Sequence, residues 1–215
     1  MEQTTDLTSI RREYLSETLS EQQLAASPLQ QFSRWFGQHQ QLDPQNATAM
    51  VLATASEQGQ PAARVVLLKH YDGDGFCWYS DYRSHKGQAL AVNPQAELLF
   101  YWRELDRQVR ISGTVELLDR ASAEKYFAER PRGSQLSAAA SFQSQVVNSR
   151  GQLEQQVEGL AERYRDQSIP CPEQWGGYRL RPLRYEFWQG REDRLHDRLV
   201  YCYEQEAWVV TRLSP

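Results

Sequence analysis

Lysine, cysteine and methionine are scarce in this 215-residue chain, and long apolar runs are missing. The three cysteines, Cys77, Cys171 and Cys202, are odd in number and scattered. They have neither metal-ligand spacing nor the pattern of a disulfide framework, so a reducing cytoplasm is expected. No apolar run approaches the roughly 20 residues of a membrane span. The opening MEQTTDLTSIRREY lacks the apolar stretch of a secretory signal. A net charge of -4 argues against a general nucleic-acid binder. Also absent are a Walker phosphate loop, a Gly-rich dinucleotide fingerprint after a strand, HExxH and GxSxG. Nothing points to a bound metal or to an activated Ser or Cys nucleophile.

What remains is a globular composition, 40% hydrophobic and 24% charged, long enough for a substantial core. Lysine occurs only at positions 69, 86 and 125, so nearly all of the basic side chains are arginine. Arginine makes fixed, bidentate contacts to phosphate and carboxylate, although GC-rich coding also favours it.

The first 25 or so residues are polar and read as a mobile arm, with one short helix expected around Leu7 to Leu19. Ser27-Pro28-Leu29-Gln30 is a helix start, with Ser27 as cap, Pro28 at the first helical position and Gln30 completing a capping box. Leu29, Phe32, Trp35 and Phe36 follow at helical spacing and face a core. From Ala49 the runs AMVLATAS, ARVVLLKHY, GFCWYSD, AELLFYWRE and RQVRISGTVELL read as strands separated by turn residues. SHKGQALAVN, a segment capped by Asp119, and Ser149 to Arg165 read as helices. Strands resume in GYRLRPLRYEFWQG, DRLHDRLVYCYE and AWVVTRL. The fold class is α+β, an antiparallel sheet closing toward a barrel with helices around it. Residues 26–215 are expected to form one domain.

Several stretches could hold an anion. Within REDRLHDRLVY, a regular strand would put Arg194, His196 and Arg198 on one face, where something anionic must separate their charges. In ARVVLLKHY, strand alternation places Arg64 and Lys69 on opposite faces, so one site takes both only across a bulge or twist. An ordinary hairpin strand with charged ends explains that stretch equally. Ser84, His85 and Lys86 sit at a helix start, where free N–H groups attract phosphate; the plainer reading is an N-cap with exposed neighbours. Tyr126 and Arg130 share a helical face, with Ser134 past the break at Pro131; a half-buried Tyr and a solvated Arg would look the same. Gln108, Gln143 and Ser144 could read polar ring edges or face water. Trp188 could stack on a flat ligand or lie in the core. Many anion contacts with few acid–base groups suit a protein whose phosphorylated cofactor carries the chemistry.

RREY, RVVLLKHYD, RQVRISG, KYFAERPRGSQ, QWGGYRL and EFWQGREDRLHDRLVY with its closing RLSP give the chain a near end-to-end resemblance to the pyridoxine/pyridoxamine 5′-phosphate oxidase family. The resemblance implies a split β-barrel homodimer with FMN at the subunit interface. It implies FMN contacts from Arg64, Val65, Val66, Leu67, Leu68, Lys69, Tyr79, Ser80, His85, Lys86, Gln108, Gln143, Ser144, Trp188 and Arg198. It implies substrate contacts from Arg11, Arg12, Glu13, Tyr14, Lys69, Tyr126, Arg130, Ser134, Arg194 and His196, with Arg194 and His196 orienting the carbon to be oxidised. A phosphorylated pyridine and dioxygen are the expected partners, with hydrogen peroxide released and no nucleic acid or membrane involved. His85 departs from the family's usual Arg. The shorter, partly charged side chain implies weaker FMN retention, by about 1–2 kcal/mol for a lost charge-assisted hydrogen bond, with Arg83 placed to compensate. A split-barrel flavin reductase and a non-catalytic ligand-binding module are the two rival readings.

Overall fold

The computed structural model describes residues 5–10, 12–14 and 17–215. Five helices and nine strands follow one another among them: α1 (Pro28–Leu42), β1 (Ala49–Ala55), β2 (Pro61–Leu67), β3 (His70–Asp72), β4 (Gly75–Asp81), α2 (His85–Val92), β5 (Gln95–Trp102), β6 (Arg107–Leu117), α3 (Arg120–Glu129), α4 (Arg132–Ala140), α5 (Arg150–Arg163), β7 (Trp175–Gln189), β8 (Asp197–Glu204) and β9 (Ala207–Leu213). The strands hydrogen-bond in the order β2-β1-β5-β6-β7-β4-β3, and β8 pairs with both β7 and β9. The pairs β1–β2, β1–β5, β3–β4, β4–β7, β7–β8 and β8–β9 are antiparallel. The α+β class is the one expected.

Chain contacts divide the protein into two units. The first comprises residues 1–47, 100–110 and 184–215, and the second residues 48–99 and 111–183. In the first, α1 starts where Ser27 accepts a hydrogen bond from the Gln30 N–H and Pro28 fills the first turn. Its apolar stripe buries Phe32, Trp35 and Phe36. Phe32 meets Phe100 edge-on at 5.0 Å, and Trp35 meets Phe187 at 5.4 Å. Such pairs add to the burial of area that drives the packing. In the second unit, Met50, Leu52, Phe76, Trp78 and Leu98 are buried on the strands. A further cluster of Phe127, Leu136, Ile169 and Trp175 packs among the helices.

Two sequence expectations need correction. The described residues of the Leu7–Leu19 segment contain no helix. Asp6 instead accepts from the backbone N–H and hydroxyl of Thr8, local bonds that compete with helix formation. The break at Pro131 is as expected: α3 ends at Glu129 with Arg130 extended, and a separate helix, α4, begins directly after Pro131. Residues 191–196 are not strand. Asp193 and Arg194 take left-handed backbone angles (φ 53° and 62°) inside a short 3₁₀ turn, and β8 starts only at Asp197. The chain must reverse between the antiparallel β7 and β8, and these residues make the reversal.

Candidate active site

The second unit holds a cavity of about 740 Å³ lined by Arg64, Val65, Val66, Leu67, Lys69, Tyr79, Ser80, Lys86, Tyr126, Arg130, Ser134 and Gln143, together with Trp175. Arg64 and Lys69 share it because the strand breaks between them. β2 pairs with β1 up to Leu67; the Leu68 N–H then bonds the Thr48 carbonyl (2.8 Å) and the Lys69 N–H bonds the Cys77 carbonyl of β4 (2.9 Å). This corner cancels the alternation that would have sent the two charges to opposite faces. Leu68 itself points into the core, 3% exposed, and does not line the cavity.

One wall is a basic pocket at the start of α2. Ser84 caps the helix by accepting from the Gly87 N–H. Lys86 is buried, and its ammonium donates to Ser84 Oγ (3.1 Å) and Gln143 Oε1 (2.7 Å). Burial first, then the Arg64 charge, push its pKa down to about 8, partly offset by Asp81. Gln143 Oε1 also accepts from Ser80 Oγ at 3.0 Å. Arg64 donates to the Leu52 carbonyl (3.0 Å) and Thr54 Oγ1 (2.8 Å). His85 is exposed and outside the lining, as is Ser144. Arg83, expected to compensate for His85, bonds both Asp81 oxygens and the Ser141 carbonyl, and lies 4.2 Å from the Phe142 ring centroid.

The other wall is aromatic. Tyr79 stacks on Tyr126 at 4.1 Å and on Trp175 at 5.5 Å. Burial raises the Tyr79 hydroxyl to about 12, so it stays protonated. The Arg130 guanidinium lies 4.8 Å from the Trp175 ring centroid, and its buried Nη1 has no hydrogen-bond partner. A buried guanidinium N–H without an acceptor is costly, and an anionic oxygen in the cavity would satisfy it. Trp175 was missed as a site residue; its only signal was its place in QWGGYRL.

The remaining expected residues lie in the first unit. Trp188 on β7 stands opposite Arg198 on β8, so both lie on one sheet face. Arg110 approaches Glu186 to 3.5 Å on that face, and β6 alternation places Gln108 there too. Arg198 donates to Glu186 Oε1 and the Ser214 carbonyl. In the turn before β8, the Arg191 N–H donates to His196 Nδ1 (3.1 Å), which leaves the proton of a neutral ring on Nε2. Burial first, and then Arg194, lower the His196 pKa. The ring lies 4.6 Å from Trp188 and 5.2 Å from Tyr14. Arg194 and Arg12 both lie over the Tyr14 ring, at 5.7 and 5.5 Å. Arg12 also pairs with Asp106 and donates to the Arg103 carbonyl. Glu13 is exposed, and Arg11 lies outside the described residues. Arg194, His196 and Arg198 are thus neighbours through a turn and a strand end, not one strand face.

Among the described residues, no group of His, Cys, Asp and Glu could hold a metal ion, and no helix is long and apolar enough to cross a membrane. An antiparallel sheet with a cation-lined, aromatic-walled cavity defines the class: a split-barrel protein with its cations turned to one pocket. Residues 37–164 match the family model described as pyridoxamine 5′-phosphate oxidase. Residues 175–215 match the one described as the pyridoxine 5′-phosphate oxidase C-terminal dimerisation region. A pyridoxine/pyridoxamine 5′-phosphate oxidase of Acaryochloris marina is 49% identical, over 98% of this chain and 96% of the relative. One of Rubrobacter xylanophilus is 48% identical, over 98% and 97%. The crystal structure of PhzG from Burkholderia lata, in complex with tetrahydrophenazine-1-carboxylic acid, superposes with a TM-score of 0.87 at 29% identity, covering 93% of this chain and 99% of that one. An FMN-binding protein of Nostoc punctiforme shares the fold, with a TM-score of 0.70 at 17% identity, covering 89% and 100%. The chain belongs to the pyridoxamine 5′-phosphate oxidase family and is an oxidoreductase.

Proposed function

We propose that the protein oxidises pyridoxamine 5′-phosphate and pyridoxine 5′-phosphate to pyridoxal 5′-phosphate, with FMN as cofactor at the interface of a homodimer. The observation that carries the reading is Arg130, whose buried Nη1 lacks an acceptor beside Tyr126, Ser134 and Lys69. That set fits a phosphate ester. The Lys86 pocket, with Ser80, Arg64 and Gln143 around it, fits a second phosphorylated group, as FMN requires.

In this reading Arg64 to Leu67, Lys69, Tyr79, Ser80, Lys86, Gln108, Gln143, Trp188 and Arg198 hold the flavin, while Leu68, His85 and Ser144 lie outside the cavity lining. Lys69, Tyr126, Arg130 and Ser134 hold the substrate phosphate. Arg194 and His196 orient the pyridine and the carbon to be oxidised, and Arg12 and Tyr14, beside them, cover it. When bound, FMN supplies the two-electron acceptor, which dioxygen regenerates with release of hydrogen peroxide. The chain's own share is positioning and charge neutralisation. Neutral His196, with its proton on Nε2, offers one N–H to the substrate. The amine substrate yields ammonia when its oxidised product hydrolyses.

The test is an absorbance spectrum of the protein with FMN, before and after anaerobic pyridoxine 5′-phosphate. Bleaching of the flavin band that air reverses, with pyridoxal 5′-phosphate formed, is the expected result. A bound flavin that ignores the substrate would point to a reductase of another substrate, and no flavin binding to a non-catalytic module. The likeness to PhzG favours one variant of this experiment, with a reduced carboxylated heteroaromatic in place of the phosphate ester. Arg130 could pair with the carboxylate of such a substrate as well; the phosphate ester is favoured by the 49% identity to a pyridoxine/pyridoxamine 5′-phosphate oxidase, against 29% to PhzG.

A further inference from the structure

Glu186 is the most enclosed charge on the sheet face that bears Trp188 and Arg198, at 2% exposure. Three guanidiniums from three strands converge on it. Arg198 Nε and Nη2 both reach Oε1, at 2.8 and 2.7 Å. Arg184 Nη2 reaches Oε2 at 2.7 Å, and Arg110 Nη1 at 3.5 Å. The carboxyl is held below its ordinary value: burial opposes this, and the bonds from Arg184 and Arg198 with the Arg198 and Arg110 charges overcome it. The three guanidiniums make the burial of this carboxylate tolerable.

We propose that Glu186 is a positioning residue for the flavin: it locks the Arg198 guanidinium in one orientation beside Trp188, while Arg110 and Arg184 hold the Glu186 carboxyl group from its other oxygen. The proposal rests on the reading that Arg198 contacts FMN. Arg198 is held at three of its donors, two on one Glu186 oxygen and one on the Ser214 carbonyl at 2.9 Å. Its plane is therefore set before any ligand arrives. Preorganisation of this kind spares the rotamer entropy that a free arginine loses on binding.

The test is a double-mutant cycle on the FMN dissociation constant, read by flavin fluorescence quenching with Glu186→Gln, Arg198→Met and the double variant. Arg198→Met is expected to weaken FMN roughly tenfold or more, as loss of a charge-assisted contact does. Glu186→Gln is expected to weaken it by a comparable factor and to add nothing in the Arg198→Met background. Additive effects, or FMN affinity unchanged by Glu186→Gln, would overturn the positioning role while leaving the Arg198 contact intact. No effect of Arg198→Met would overturn both that contact and the role built on it. Arg198→Lys covers the case in which Glu186→Gln fails to fold. Lysine keeps the charge but cannot make the two-donor contact, so the proposal requires an FMN loss close to that of Arg198→Met; retained affinity would refute it.

Discussion

Replacing Lys86 by methionine should make the ligand-free protein more stable and its cofactor weaker. The ammonium sits at 8% exposure, and its pKa falls from 10.5 to about 8. At about 1.4 kcal/mol per pH unit, keeping it charged costs the folded state about 3 kcal/mol at pH 7. The bonds to Ser84 and Gln143 that methionine gives up return about 1 kcal/mol each. Neither partner is stranded, since Ser84 Oγ still accepts from the Gly87 N–H and Gln143 is exposed. Lys86→Met should therefore gain about 1 kcal/mol at pH 7. The sign follows from the depressed pKa: the unfolded lysine holds its proton more tightly, so the cost is full below about 8 and disappears as pH rises toward 10.5. Urea denaturation at pH 7 and pH 10 measures both ends. A variant no more stable than wild type at pH 7, or a gap that does not shrink by pH 10, would refute the reasoning. In the wild type, FMN affinity should fall as pH climbs through about 8, because the phosphate needs the charged lysine.

Arg130→Met should raise KM for the phosphorylated substrate about 10- to 100-fold, since charge-assisted bonds are worth about 1.5–3 kcal/mol. The ligand-free protein should lose no stability, because the buried Nη1 has no partner to lose and its unmet desolvation cost goes with it, offset by the cation–π contact with Trp175 that methionine gives up; steady-state kinetics and urea midpoints separate the two. Gly190→Ala would bring a Cβ within 2.6 Å of the Tyr14 ring and 3.0 Å of Asp106 Cβ. Overpacking of this size costs about 1–3 kcal/mol. Adding Tyr14→Ala should recover part of the denaturation midpoint, and no recovery would show that Tyr14 is not the obstacle. His85→Arg should tighten FMN by up to about tenfold if the longer guanidinium reaches the phosphate. Equal affinity in a fluorescence titration would leave residue 85 a solvent-facing helix position, as its exposure in the first turn of α2 allows.

Local rules carried much of the molecule. Ser27, Ser84, Asp119 and Ser149 cap α1, α2, α3 and α5 as their side-chain chemistry dictates. Alternating apolar residues marked the strands because a sheet face repeats every two residues. The family resemblance supplied the ligands. What the sequence could not show were the places where alternation stops. The corner at Leu68 depends on a switch of partner, from the Thr48 carbonyl beside β1 for Leu68 to the Cys77 carbonyl of β4 for Lys69, which neither residue type marks. The left-handed pair Asp193 and Arg194 arises from the need to turn β7 back into β8, and neither residue type demands it. Glu186 reads in YEFWQG as any glutamate between aromatics. Its burial, and the three arginines that make that burial tolerable, come from β6, β7 and β8 lying side by side. Residue types and their periods determined by themselves which elements form and which chemistry is on offer. Which charges meet, and which must wait for a ligand, was decided only in three dimensions, because electrostatic energy depends on distance and burial and not on position in the chain.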